Sequence, residues 1–321
     1  MTKIIAELCQ NHNGDITILE EMVHAASDAG CDFVKIQSML ANDLSHRERF
    51  DNGIVDESGE IRTIKRPYKE EYERLKKLDI DDKNHYLFLE FCKKYKIKPM
   101  TTIFSRYRLK FLESLDFQVI KVSSFDCSSH KMIEELSNSK FSEIIISTGC
   151  TFNEEIVKTV NILKNKNLTL LHCVSIYPTP LNEINLERIN FLKTLCSQVG
   201  FSEHTESEKH SIKASICALL YDIKYIERHF TILKKKNTKD GPVSLDTKQM
   251  KDLVKFSKLS KIEVEDYVKK NIPEFDLMKG LAQRNLSKIE ILNRDYYRGR
   301  FISRSKKDGE YIYNWEDKPI N

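Results

Sequence analysis

Eight times along this chain a short run of β-branched and aliphatic residues gives way to a longer stretch with helical spacing. That alternation constrains the fold more than any other feature. The expected strands are Lys3 to Glu7, Asp32 to Gln37, Lys98 to Thr102, Phe117 to Val122, Ser142 to Ser147, Leu168 to Cys173, Gln198 to Ser202 and Lys224 to Arg228. Helical patterns separate them, beginning with Ile16 to Ala29, where Asp15 caps and Gly30 stops the helix. The last of them is a long pattern from Thr247 to Lys269. Strands joined through helices run parallel, and eight such units close a barrel. The expectation is therefore α/β, a TIM-type (β/α)8 barrel over residues 1–272. An irregular insertion, Met39 to Pro67, follows the second strand. Residues 273–321 form a short C-terminal extension, helical near Phe275 to Ile291 and then carrying two short strand-like runs. Such a tail is too small for a core of its own. It is expected to dock on the barrel or on a neighbouring subunit.

The composition narrows the class of function. Of 321 residues, 40% are apolar and 31% charged, enough to build a sizeable core. No run approaches the roughly 20 apolar residues that span a bilayer. The opening MTKIIAEL reads as a strand rather than a signal peptide, so a cytoplasmic protein with no membrane partner is expected. The net charge is +4, and the lysines are scattered instead of forming a stripe, which argues against nucleic acid. None of the eight cysteines forms a CxxC pair, and most sit in apolar segments. They read as reduced core residues.

In a barrel of this kind the chemistry sits at the carboxyl ends of the strands. Strand one ends in Glu7, strand two carries Lys35 and Gln37, and strand three ends in Thr101-Thr102. Strand four carries Lys121, followed by Ser123-Ser124 and Asp126. Strand five ends at Ser147-Thr148-Gly149, and strand six at His172 with Ser175 and Tyr177 beyond. Glu203-His204 follow strand seven, and strand eight carries Glu227 and His229. Two lysines on one rim suit a phosphate and a carboxylate. Two histidines suit a divalent cation, and Glu7, Asp126 and Glu227 suit proton transfer or hydroxyl binding. Each residue alone has a plainer reading: a surface lysine, a hydrogen-bonded core histidine, a turn serine. His172, set among apolar neighbours, reads as a core residue.

These segments resemble the sialic acid synthases, a family that also makes legionaminic and pseudaminic acids. AELCQNHNGD resembles that family's AEIGxNHxGD, FVKIQS its VKxQT and TTIFS its STPFS. VIKVSSFD is similar to YKIxSGE/D, and IIISTGC to ILSTGM. LHCVSIYPTP resembles LHCxxxYPxP, GFSEHT resembles GxSDHT, and IERHFT resembles IExHFT. All eight occur in family order between about residues 4 and 232. The resemblance implies condensation of phosphoenolpyruvate with an N-acetylmannosamine-like amino sugar, giving a nonulosonic acid and phosphate. It implies a divalent metal, with Mn2+ the expected ion and Mg2+ or Co2+ the alternatives, and leaves a homodimer open. Carried over, His204 and His229 hold the metal. Lys35, Thr102, Lys121, Ser124, Ser147 and Ser175 hold phosphoenolpyruvate. Gln37, Tyr177 and Glu227 hold the sugar, and Glu7, Lys35 and Asp126 serve the chemistry.

Two departures set further expectations. The family's GPDxxxS segment is here DGPVSLD, so Val243 stands where an acceptor-binding aspartate is usual, with Asp240 and Asp246 as candidate substitutes. The family's antifreeze-like C-terminal domain, which reaches a partner's site with an arginine, is expected to be missing. Arg298 and Arg300 are candidates for that cation. Two other readings stay open. One is a related synthase acting on a phosphorylated or different sugar, with Arg47, Arg49 and Arg66 as loose cations. The other is a barrel that binds sugar or phosphoenolpyruvate without catalysis.

Overall fold

The computed structural model describes residues 1–305 and 309–320. Eight parallel strands close a barrel: β1 Lys3–Glu7, β2 Phe33–Ser38, β3 Lys98–Ile103, β4 Val119–Val122, β5 Glu143–Ser147, β6 Leu168–Cys173, β7 Val199–Glu203 and β8 Tyr225–His229. Each strand pairs with its neighbours in sequence, and β1 pairs with β8 to complete the ring. All of the expected strands are present.

Strand alternation divides the side chains between two cores. Ile4, Ala6, Val34, Ile36, Ile144 and Ile226 point outward and pack under the helices. Ile5, Phe33, Met100, Val119, Ile145, Leu171 and Tyr225 point inward and plug the barrel. Burial of each such aliphatic side chain contributes about 1.5–3 kcal/mol. Below the plug, Glu143 accepts hydrogen bonds from Thr169 (2.6 Å) and Tyr225 (3.0 Å). Above it, the next inward positions are polar. Register aligns them: Glu7 lies opposite Lys35 on one side and His229 on the other, and Thr102 lies opposite Gln37 and Lys121.

Three expected helices are divided. The apolar helical pattern expected after the seventh strand, Glu208 to Leu220, is split into Ser207–His210 and Lys213–Leu219, with Ser211 at φ 51° between them. Thr247 to Lys269 is split into Thr247–Phe256 and Lys261–Asn271. The reason is a capping box: Ser260 accepts from the Glu263 amide, and the Glu263 carboxylate accepts from the Ser260 amide. In the tail, Phe275–Lys279 ends at Gly280, and a new helix, Lys288–Tyr297, starts from a second box at Ser287 and Glu290. Gly280 has φ +54°, and a Cβ there would stand 2.2 Å from the Asn185 side chain. Only glycine fits both demands.

The tail lies across the carboxyl end of the barrel. Asn293 donates to the Ser175 carbonyl (2.8 Å), Arg294 to the Cys150 carbonyl (2.6 Å), and the Ile302 amide to the Asp43 carbonyl (2.9 Å). Ser303–Arg304 and Tyr311–Ile312 form a small antiparallel ribbon. Among the described residues, no helix is long and apolar enough to cross a membrane.

Candidate active site

A cavity of about 380 Å3 opens at the carboxyl ends of the strands. Its floor is a buried charge cluster. Lys35 pairs with Glu7 at very short range, donates to Thr102 (2.9 Å), and stands 3.5 Å from Glu227. Lys121 donates to both oxygens of Glu227 (3.0 and 3.3 Å), and Ser202 donates to the first of them (2.9 Å). The Cys9 amide donates to Glu7 (2.7 Å). Two ammonium groups buried without partners would be strongly destabilising, so the two carboxylates are what permits them. Burial pushes the Lys35 ammonium down, against the pull of Glu227. Glu227, which burial alone would raise, is held below the ordinary carboxylate range by Lys121 and Lys35. The floor thus gathers two ammonium groups and two carboxylates into one buried cluster.

Donors flank this cluster. Ser124 and Ser147 line the cavity, and the Ser147 hydroxyl has no hydrogen-bond partner among the described residues. The Gly149 amide donates to Ser124 (3.2 Å). Ser175, expected with them, stands apart, its buried hydroxyl likewise without a hydrogen-bond partner among the described residues. It does not line the cavity, but lies beneath the turn, where a Cβ on Gly149 would meet its hydroxyl at 2.4 Å. Asp126 lines the cavity and accepts from Ser129 (2.8 Å), Asn314 (3.1 Å) and Ser123 (3.3 Å). Burial raises its carboxyl to about 6, in spite of these donors.

His204 and His229 stand side by side, ring centroids 5.2 Å apart, with Tyr177 over His204 at 4.3 Å. Burial lowers His204 to about 3 and, with His204 beside it, carries His229 well down too. Both imidazoles are therefore neutral, the form that ligates metals. The His229 Nδ1 is buried and has no hydrogen-bond partner among the described residues. This pair fits a divalent cation. Behind them, outside the barrel wall, Arg228 and Glu203 form a fully buried ion pair (2.6 Å) that ties β8 to β7. His172 is a core residue whose Nε2–H donates to the Ile184 carbonyl (2.6 Å).

Gln37, Tyr177 and Glu227 all line the cavity. Tyr177 is 45% exposed at its mouth, whereas Glu227 belongs to the floor. Of the residues near the altered loop, Asp240 lines the cavity, Asp246 is an exposed helix cap, and Val243 is buried away from it. Arg300 lines the cavity and is paired with Glu71, while Arg298 stacks on Trp315 (4.7 Å) and stays out. Arg66 reaches the mouth, but Arg47 and Arg49 are spent on the tail, bonding Tyr296 and Asp295. Cys9, Arg74, Lys239, Tyr297 and Phe301 also line the cavity and were not singled out by sequence. Ser202 was missed too, although it alternates inward between Gly200 and His204.

Known proteins resemble this chain along most of its length. The N,N'-diacetyllegionaminic acid synthase of Campylobacter jejuni is 28% identical over 349 aligned positions, covering 97% of this chain and 98% of that protein. The pseudaminic acid synthase of Helicobacter pylori is 29% identical over 266, covering 80% and 74%. The crystal structure of an N-acetylneuraminic acid synthetase from Leptospira borgpetersenii superposes with a TM-score of 0.69 at 24% identity, covering 92% and 90%, which speaks for the fold. The model of the NeuB family matches residues 22–268, most of the barrel, and the chain belongs to that family.

Proposed function

We propose that this chain joins phosphoenolpyruvate to an open-chain, N-acetylmannosamine-like amino sugar, releasing phosphate and a nonulosonic acid. The observation that carries the reading is the buried Lys35–Lys121 pair facing His204 and His229 across one cavity. Lys35 and Lys121 take the carboxylate and phosphate of the donor, displacing their contacts to Glu7 and Glu227. Thr102, Ser124 and Ser147 supply neutral hydrogen bonds to the same anion. Gln37, Tyr177 and Glu227 orient the acceptor, which approaches from the mouth. The enol carbon of the donor bonds to the acceptor's aldehyde carbon, the aldehyde oxygen takes up a proton, water adds to the former enol centre, and phosphate leaves. Asp126, with its raised carboxyl, and Glu7 are placed to move those protons. A divalent cation held by His204 and His229, Mn2+ by expectation, supplies Lewis-acid polarisation of the acceptor when bound. The fixed charges of the floor need no rearrangement as the reaction proceeds, which is where such sites gain most. Residues 1–272 carry this machinery, and Tyr297, Arg300 and Phe301 of the tail contribute part of its cover.

A second reading is favoured by one observation: Arg66, Arg74, Lys239 and Arg300 all line the cavity, outnumbering Asp240 and the Glu71 carboxylate that Arg74 and Arg300 share. That concentration of cations suits an acceptor with an anionic far end, such as a phosphorylated amino sugar.

The test is phosphate release from phosphoenolpyruvate with Mn2+ and a panel of acceptors: N-acetylmannosamine, its 6-phosphate, and 6-deoxy diacetamido sugars. Acceptor-dependent release, abolished by chelator and by His204→Ala, is the expected result. Preference for the phosphorylated sugar selects the second reading. No release with any acceptor from folded, metal-loaded protein overturns the synthase reading.

A further inference from the structure

Cys9 stands two residues beyond the end of β1, in a left-handed conformation (φ 46°) that residues other than glycine rarely adopt. Because Glu7 is in register with His229, this turn carries the Cys9 side chain across to the end of β8. Its Sγ donates to Asp240 Oδ2 at 2.8 Å. Asp240 arrives from the loop after β8, where Gly241 makes a tight turn: a Cβ there would collide with the Lys235 carbonyl at 1.8 Å. Asn11 links the two loops, donating to the Phe230 carbonyl and to Ser244 (both 2.9 Å), and Ser244 in turn donates to the Asp240 carbonyl (2.7 Å). One ligand atom each from Cys9, His229 and Asp240 lies within 4.8 Å of the other two. Three ligand-type residues from two strand ends are thus held together, and one of them, His229, has a buried Nδ1 without a hydrogen-bond partner among the described residues.

We propose that Cys9 and Asp240 join His229 and its neighbour His204 in a thiolate-containing metal centre, so that the cation is not held by histidines alone. The inference rests on the metal-dependent reading above and deepens it. As the ion binds, the thiol releases its proton to solvent and its sulfur becomes a ligand. Asp240 then exchanges the thiol contact for the cation. Sulfur, nitrogen and one carboxylate oxygen make a softer set than two imidazoles with water. The centre prefers Co2+, Zn2+ or Fe2+ over Mg2+ and Mn2+. Such a centre also explains why the chain keeps a side chain at the strained position after β1, and it makes the altered loop after β8 a source of a metal ligand rather than of a sugar contact.

The test uses the full chain, stripped of metal, reduced and kept anaerobic, and titrated with Co2+ alone. The expected result is one bound Co2+ with the near-ultraviolet charge-transfer absorption of a cobalt–thiolate bond. In Cys9→Ser that band disappears, and Zn2+ affinity falls by about tenfold or more. Asp240→Asn keeps the band with weaker binding. Thermal unfolding of each variant shows that the fold is retained. Stoichiometric Co2+ binding with no thiolate band, unchanged in Cys9→Ser, overturns the proposal while leaving a histidine-bound metal intact. No Co2+ or Zn2+ binding to folded protein overturns both.

Discussion

Lys35 and Arg300 line the same cavity and reach it by different routes. Lys35 is an inward position on β2, set by the period of the strand and by its register with Glu7. Arg300 belongs to the tail, and its place depends on Glu71, 229 residues away in sequence. The floor is therefore an obligate product of the barrel, while the roof is an added layer that can vary without disturbing the strands. Under the proposed reaction, the floor holds charge for the donor and the roof meets the acceptor. That division makes the two regions separable by mutation.

The largest effect is expected at the floor. Lys35→Met removes the partner of a buried carboxylate, Glu7, and one of two cations offered to the donor. Stability should fall by about 3 kcal/mol, because one half of a buried pair is left uncompensated. Turnover should fall by about 10³-fold, as for loss of a preorganised charge at the reacting centre. Urea denaturation and phosphate release measure the two separately. Adding Glu7→Gln should restore most of the stability and none of the rate. Rescue of the rate by the double variant would show that Lys35 is structural.

At the roof the effect is smaller and falls on one substrate. Arg300→Ala should raise the acceptor KM by about tenfold, the value of one charge-assisted hydrogen bond. The KM for phosphoenolpyruvate should stay within about twofold, since the floor is untouched. Steady-state kinetics with each substrate varied in turn gives the answer. An equal rise in both constants would erase the distinction between roof and floor.

The same contrast explains what the sequence discloses. Alternation along β2, β4 and β8 places Lys35, Gln37, Lys121, Glu227 and His229 on one rim without any knowledge of neighbours, and all of them line the cavity. The S-x-x-E spacing at Ser260 and Ser287 is an equally local signal, and the expectation of unbroken helices overlooked it: both long patterns break there. Ser175 shows where the rule stops. It lies beyond its strand, and whether such a residue faces the cavity depends on the turn it meets, here Gly149. Arg74 and Glu71 lie on a helix whose spacing says nothing about which end of the barrel it covers. Cys9 reads locally as one more apolar-segment cysteine, and only the register of β1 with β8 brings it to His229.

Asn314 joins the two regions, and the smallest predicted effect is there. Its amide, from the tail, donates to Asp126 (3.1 Å) and to the Phe104 carbonyl (2.8 Å), while its own oxygen accepts from Ser303 (2.7 Å). Burial sets the Asp126 carboxyl near 6, and the Asn314 hydrogen bond pulls the other way by stabilising the ionised form. Because the folded value lies above the unfolded one, this carboxyl favours folding most below pH about 4 and loses that contribution as pH rises through about 6. Asn314→Ala removes a donor to the charged form, so the Asp126 carboxyl rises further. The inflection near pH 6 in the kcat/KM profile should move to higher pH, and stability should drop by about 1 kcal/mol. Asp126→Asn removes the inflection altogether. If the profile of Asn314→Ala keeps its inflection while its stability falls, Asn314 only fastens the tail. If the inflection moves, a residue of the roof is setting the proton affinity of a group that works at the floor.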